Sequence, residues 1–285
     1  MVGSGLLAVV KITVGLMANS TSVVADGIES AGDVGASMVV LFGLLVAAKP
    51  ADANHPYGHG RFEILTALAV GILLVATGTG ICVRSIDRID AVHLPPAAYA
   101  VWPLIGSIAI KGLLSVVKFR YGRRLRSSAL VADAYNDLVD ILSACAALIA
   151  VGITLYDPRR FLAADHYGGV AVGLIVIYTG LRVIGTAALQ LMDTMPDPDR
   201  MRQIRQVALA VPGVLGVEKC FARKTGLQHH VDLHLEVDPE MTVRASHEVA
   251  TQVRMRIKEQ LDWIADVLVH VEPHEPASTT SATAR

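Results

Sequence analysis

The chain has 285 residues, of which 53% are hydrophobic, 18% charged and only 5% aromatic, with a formal net charge of −1. This balance supplies no basic surface for nucleic acid. Its uneven spread, with charges sparse before about residue 195 and dense after it, divides the chain into a membrane region and a soluble region. Three cysteines (Cys82, Cys145 and Cys220) lie far apart with no CxxC spacing, which argues against a disulfide framework or a thiolate zinc centre.

Taken in order, six apolar segments occupy roughly 3–19, 22–48, 62–86, 98–121, 128–155 and 165–190. Most reach the ~20 residues that a bilayer-spanning helix requires. The first is short and contains Lys11. Its flank lacks a basic stretch and a cleavage site, so it reads as a helix that stays rather than a signal peptide. Glycine and serine recur inside these runs, as expected where helices approach closely in lipid. An even number of spans puts both ends on one side. The loops on that side hold Lys49, Arg61, Lys118, Arg120, Arg123, Arg124 and Arg126, against Arg84, Arg88, Arg159 and Arg160 opposite, which predicts cytoplasmic termini.

The pattern changes after Met192-Asp193-Thr194-Met195-Pro196. A helix is predicted over 198–211, with Pro198 near its start and Pro212-Gly213 ending it. Strands follow at about 214–224 and 229–237, separated by Lys224-Thr225-Gly226. The second alternates, with Val231, Leu233, Leu235 and Val237 on one face and His230, Asp232, His234 and Glu236 on the other. A helix over 242–261 and a strand over 266–272 complete an αββαβ order, which predicts a small open α+β sheet with helices on one face. The expected organisation is a membrane domain at 1–194, a soluble domain at 195–275, and a tail at 276–285 with nothing to bury and hence disordered.

One pattern occurs twice. Residues 25–33 and 132–140 both fit A-D-[G/A]-x-[E/N]-x-x-x-D inside apolar segments. Positions three and four apart share a helix face, so Asp26, Glu29 and Asp33 form one stripe and Asp133, Asn136 and Asp140 another. Acids in hydrocarbon cost roughly 2.5–3.5 kcal/mol each on insertion scales, and a cation between two such stripes removes much of that cost. Helix caps would explain one stripe, but caps belong at helix ends and these residues sit well inside predicted spans. The stripes read as one metal site shared by two membrane helices.

Two further clusters bear ligands. In the loop 49–61, Asp52, His55 and His59 place three donors within eight residues, enough for a divalent site with an open position, although short polar loops also carry histidines for no metal reason. In the soluble region His234 shares a face with Asp232 and Glu236, and His270 shares one with Glu272. Neighbouring strands would bring two imidazoles and several carboxylates together; otherwise this is a solvated sheet face. His247 on the following helix either joins them or faces water, and His229 has no clear place.

These residues resemble the cation diffusion facilitators, dimeric proton-coupled exporters of divalent metals. The resemblance covers nearly the whole chain. It rests on the twin stripes, the string Lys-Pro-Ala-Asp-x-x-His-Pro-Tyr-Gly-His-Gly-Arg at 49–61, the junction Leu191-Met192-Asp193, and Pro212-Gly213-Val214 followed by Val231-Asp232-Leu233-His234. It implies a transport site at Glu29, Asp33, Asn136 and Asp140 and a loop site at Asp52, His55 and His59. It also implies a metallochaperone-like (ferredoxin-like) cytoplasmic domain that dimerises and holds metal through His234, His270, His247 and Glu272. Glu272 stands where an aspartate is common and Glu218 where a histidine often occurs. Arg61 and Asp193 match a pair that interlocks the membrane domains of the homodimer. The location implied is the inner membrane of a bacterial cell.

The zinc-transporting members usually carry a histidine in the membrane quartet, where this chain has Asn136. All four ligands are then oxygen donors, which leans toward Mn²⁺ or Fe²⁺, with Zn²⁺ also a candidate because it too binds carboxylates. Asparagine does not titrate near neutrality, so exchanged protons must ride on Glu29, Asp33 or Asp140. No HExxH arrangement or usable nucleophile accompanies the stripes, which argues against an enzyme, and no organic cofactor is implied. The missing histidine also leaves room for a metal-sensing regulator or a heterodimer partner that transports little.

Overall fold

The computed structural model describes residues 2–89, 94–124, 128–226 and 228–275; the expected disordered tail at 276–285 lies outside them. Six apolar helices come first: α1 (Val2–Met17), α2 (Thr21–Ala47), α3 (Arg61–Ile86), α4 (Val101–Arg124), α5 (Ser128–Tyr156) and α6 (Ala164–Leu191). Five of them are long and apolar enough to cross a bilayer. The sixth, α1, has 16 residues, or about 24 Å at 1.5 Å per residue, short of a ~30 Å hydrocarbon core. There follow α7 (Pro198–Leu209), β1 (Gly216–Thr225), β2 (Gln228–Val237), α8 (Val243–Gln260) and β3 (Ile264–Pro273), in the expected αββαβ order.

The chain forms two compact units, one of residues 1–43 with 66–185 and the other of 44–65 with 186–285. In the first unit, small side chains make the packing. Ala18, Val23, Ala25, Ala100, Ala147, Val151 and Val172 cluster with Leu104 and Ile81. At the α3–α6 contact a Cβ on Gly78 would lie 2.8 Å from the Gly173 carbonyl, so only glycine permits this approach. Large apolar side chains point outward instead: Leu41, Phe42, Trp102, Leu113 and Leu142 are all more than half exposed, as lipid-facing positions must be.

Asp165, in the first turn of α6, fixes the start of α2. It accepts hydrogen bonds from the Ser20 and Ser22 hydroxyls and from the Thr21 and Ser22 amides. A helix start has unpaired N–H groups, and a carboxylate from another helix satisfies them here.

In the second unit, β2 is the central strand, antiparallel to β1 and parallel to β3. Its odd-numbered positions are buried and its even ones half-buried. Val231, Leu233, Leu235 and Val237 join Ile204 and Ala208 of α7 and Val253 and Ile257 of α8 in one core. Both helices therefore cover the same sheet face, and the polar face with His234 stays open. Parity also places His229, which sits buried on the apolar face with its ring edge-on to Trp263 at 5.2 Å. Burial, with Arg200 and then Lys224 nearby, holds its pKa below the usual histidine value.

Candidate metal centres

Asp26 and Glu29 of α2 and Asp137 and Asp140 of α5 are buried, Asp33 is half-buried, and lysines accompany them. Asp26 pairs with Lys11 of α1 at 2.7 Å, both almost wholly inaccessible, and Lys11 also donates to Ser30. One turn on, Glu29 is 7% exposed. Its Oε1 accepts from the Ser143 hydroxyl of α5 at 2.8 Å, while its Oε2 has no hydrogen-bond partner among the described residues. A buried carboxylate oxygen left unpaired is costly, and a cation is the natural remedy. Asp33, the third member of the stripe, faces Asp140 of α5. Lys111 of α4 stands between them, hydrogen-bonded to Asp140 and 3.9 Å from Asp33.

A cavity of about 470 Å³ is lined by Asp33, Lys111, Lys118, Asn136, Asp137 and Asp140. It brings three members of the expected quartet to one space; Glu29 reaches α5 through Ser143. Asn136 itself is exposed, and the buried acid beside it is Asp137, 8% accessible and paired with Lys118 at 2.6 Å. The Asp133 side chain lies outside the described residues. Sequence reasoning missed Asp137, Ser143 and the part played by the lysines. Lys11 and Lys111 both pair with the acidic stripes themselves.

The loop cluster is closed. Ligand atoms of Asp52, His55 and His59 all lie within 4.8 Å of one another. Asp52 Oδ1 accepts from the amides of Asn54 and His55 at 2.9 and 2.7 Å, and its carboxylate meets His55 Nδ1 at 3.1 Å and His59 Nε2 at 3.5 Å. The His55 amide, with help from its ring and the Asn54 amide, holds Asp52 below the usual carboxylate range. His59 Nδ1 lies 3.2 Å from the Pro50 carbonyl. That contact fixes the ring and leaves Nε2 for the cluster, the outer-shell arrangement typical of metal-binding histidines.

On the open sheet face, His234 and His270 are paired across the parallel β2–β3 register, with ring centroids 5.1 Å apart. Glu272 lies 2.6 Å from His234 Nδ1 and 3.5 Å from His270 Nε2. The β-bulge between Val217 and Cys220 swings Glu218 to within 4.0 Å of the same His234 nitrogen. Hydrogen bonding from Glu218, then from His234, keeps Glu272 below its ordinary pKa. His247 does not join: it is exposed on α8, and α8 packs against the opposite, apolar face.

Arg61, at the start of α3, reaches Asp193, just past the end of α6, at 2.9 Å within a single chain. Asp193 adopts a left-handed backbone (φ 55°), the conformation that ends a helix and here turns its carboxylate to the guanidinium. Lys224 of β1 lies 3.5 Å from Glu63 and 3.4 Å from Gln190 beside this pair.

Comparison with known proteins identifies the family. Among curated proteins, the chain is 30% identical over 268 residues to the manganese efflux system protein MneP of Bacillus subtilis, covering 93% of this chain and 90% of that one. It is 31% identical to metal tolerance protein C1 of Arabidopsis thaliana, spanning 94% of this chain but 59% of that longer protein. It is 29% identical to the magnetosome protein MamB of Paramagnetospirillum magneticum, over 95% and 91% of the two chains. Among solved structures, a cadmium form of the MamM CTD is 31% identical, covering 27% of this chain and 98% of its own, with a TM-score of 0.27. The profile of the cation efflux transmembrane domain matches residues 1–192 and that of the cation efflux cytoplasmic domain matches 196–274. With both halves matched, this multi-pass membrane protein belongs to the cation efflux, or cation diffusion facilitator, family.

Proposed function

We infer that the chain exports divalent transition-metal cations from the cytoplasm in exchange for protons. One observation carries this reading: carboxylates on α2 and α5 face each other, with Asp33, Asn136 and Asp140 on one cavity and a buried oxygen of Glu29 left without a hydrogen-bond partner among the described residues. A divalent ion held by Glu29, Asp33, Asn136 and Asp140 offsets charges that lipid disfavours. Oxygen-only ligation favours Mn²⁺ or Fe²⁺, with Zn²⁺ a third substrate, and the relative named for manganese efflux supports that order.

Asn136 cannot carry a proton, so the exchange runs on the three carboxylates. Metal arriving from the cytoplasm displaces protons, the loaded site opens outward, and protons entering from outside release the metal and reset the carrier. Residues 1–194 are the transport domain and 195–275 a cytoplasmic domain that binds metal through His234, His270 and Glu272 and joins two copies into a homodimer. The Asp52, His55 and His59 cluster is a second metal site at the cytoplasmic end of α2. Both termini face the cytoplasm from the inner membrane. Purified protein in liposomes with an internal pH-sensitive dye tests the scheme. Mn²⁺ and Fe²⁺ should move faster than Zn²⁺ and Co²⁺, each with opposed proton flux; metal movement without a proton signal would refute the exchange.

A further inference from the structure

The lysines of α1 and α4 are the unexpected part of the membrane unit. A lysine buried in a spanning segment is expensive unless paired. Lys111 is 6% exposed, and its ammonium lies against Asp140 and 3.9 Å from Asp33. Those two carboxylates are the ones proposed above to grip the transported ion. Lysine is well suited to a replaceable role: a compact charge on a flexible four-carbon stem, without the planar fork that locks arginine onto a carboxylate. The cavity that Lys111 lines gives the stem room to swing, and Asp137, one turn from Asp140, opens on the same space. The other two lysines differ. Lys11 is tied to Asp26 and Ser30, and Lys118 is paired with Asp137.

We propose that Lys111 is a tethered counter-ion that competes with the metal for Asp33 and Asp140, and so sets the affinity of the transport site. An ammonium and a divalent cation cannot share the same oxygens at close range, because like charges repel. Loading therefore requires the Lys111 side chain to leave, and its return helps expel the ion. The residue is a specificity-determining one for transport: a weakly held cation fails to displace it. This rests on the reading of Glu29, Asp33, Asn136 and Asp140 as the transport site.

Full-length protein carrying Asp52→Ala and His234→Ala, which disable the other two clusters, isolates the membrane site for Mn²⁺ titration by calorimetry. In this background Asp140→Asn should abolish the remaining binding; if binding persists, the transport-site reading itself is wrong. Given that control, Lys111→Gln should tighten Mn²⁺ binding by at least about fivefold, the lower end of ordinary coupling between binding events. In liposomes it should lower both the half-saturating Mn²⁺ concentration and the maximal flux. Lys111→Arg keeps the charge and grips carboxylates more firmly, so it should weaken binding. An unchanged or weaker affinity in Lys111→Gln would overturn the proposal. So would an unchanged affinity in Lys111→Arg, which decides alone if the glutamine variant does not fold.

Discussion

Asn136 and Ser143 carry most of what distinguishes the membrane site at the level of single side chains. Asn136 opens on the same cavity as Asp33 and Asp140, and a neutral amide oxygen there favours harder ions. Replacing it with an imidazole adds the donor that zinc prefers. Asn136→His should raise the Zn²⁺:Mn²⁺ flux ratio in liposomes, and an unchanged ratio would remove the selectivity argument. Ser143 is wholly buried and donates to Glu29 Oε1. Residues that orient a ligand in this way typically affect metal affinity about tenfold or more. Ser143→Ala should weaken Mn²⁺ binding by roughly tenfold with little change in melting temperature, measurable by titration and thermal unfolding of the same sample.

Among the elements, α2 depends on a residue distant in sequence. Asp165 accepts from two hydroxyls and two amides at the first turn of α2. Asp165→Ala leaves those donors unpaired in a buried place, at a cost of about 2 kcal/mol. Thermal unfolding in detergent should show a clearly lower transition; an unshifted one would mean that water replaces the carboxylate. Such long-range pairings explain which features could be read from sequence. The alternation of β2 and the stripe of α2 are properties of a single element, so spacing alone reveals them, and Asp52, His55 and His59 lie within one loop. Asn136 and Asp137 are adjacent on α5, and helical period cannot choose which faces a neighbour until α4 is in place. Nor could spacing show that Lys111 meets Asp140, because the partner of a buried lysine stands on another helix. Spacing likewise left open whether His247 joins the sheet cluster or faces water, because that depends on which face of the sheet its helix covers.

Over the whole molecule, acid should act on the soluble sheet as well as on transport. Burial first, with Arg223 and Arg61 nearby, lowers the pKa of His230, as burial and Arg200 do for His229. Each is more readily protonated when unfolded, near pH 6.5, so the unfolded chain binds more protons and stability rises with pH. Their contribution is present above about pH 6.5 and is lost as pH falls through the lower folded values. Hydrogen exchange of the β2 amides in the intact protein should therefore quicken between pH 6.5 and 5, beyond the intrinsic change with pH. Protection that holds or grows on acidification would contradict the assignment.

The central claim is that carboxylates on α2 and α5 hold the metal in transit, and it is tested most directly by Mn²⁺ flux through liposomes containing Asp33→Asn or Asp140→Asn. Each variant keeps the shape of the site and the loop and sheet clusters, and removes one charge from the proposed grip. The account predicts flux at the level of protein-free vesicles for both, with normal folding and dimer formation; flux within twofold of the unaltered protein in either would contradict it.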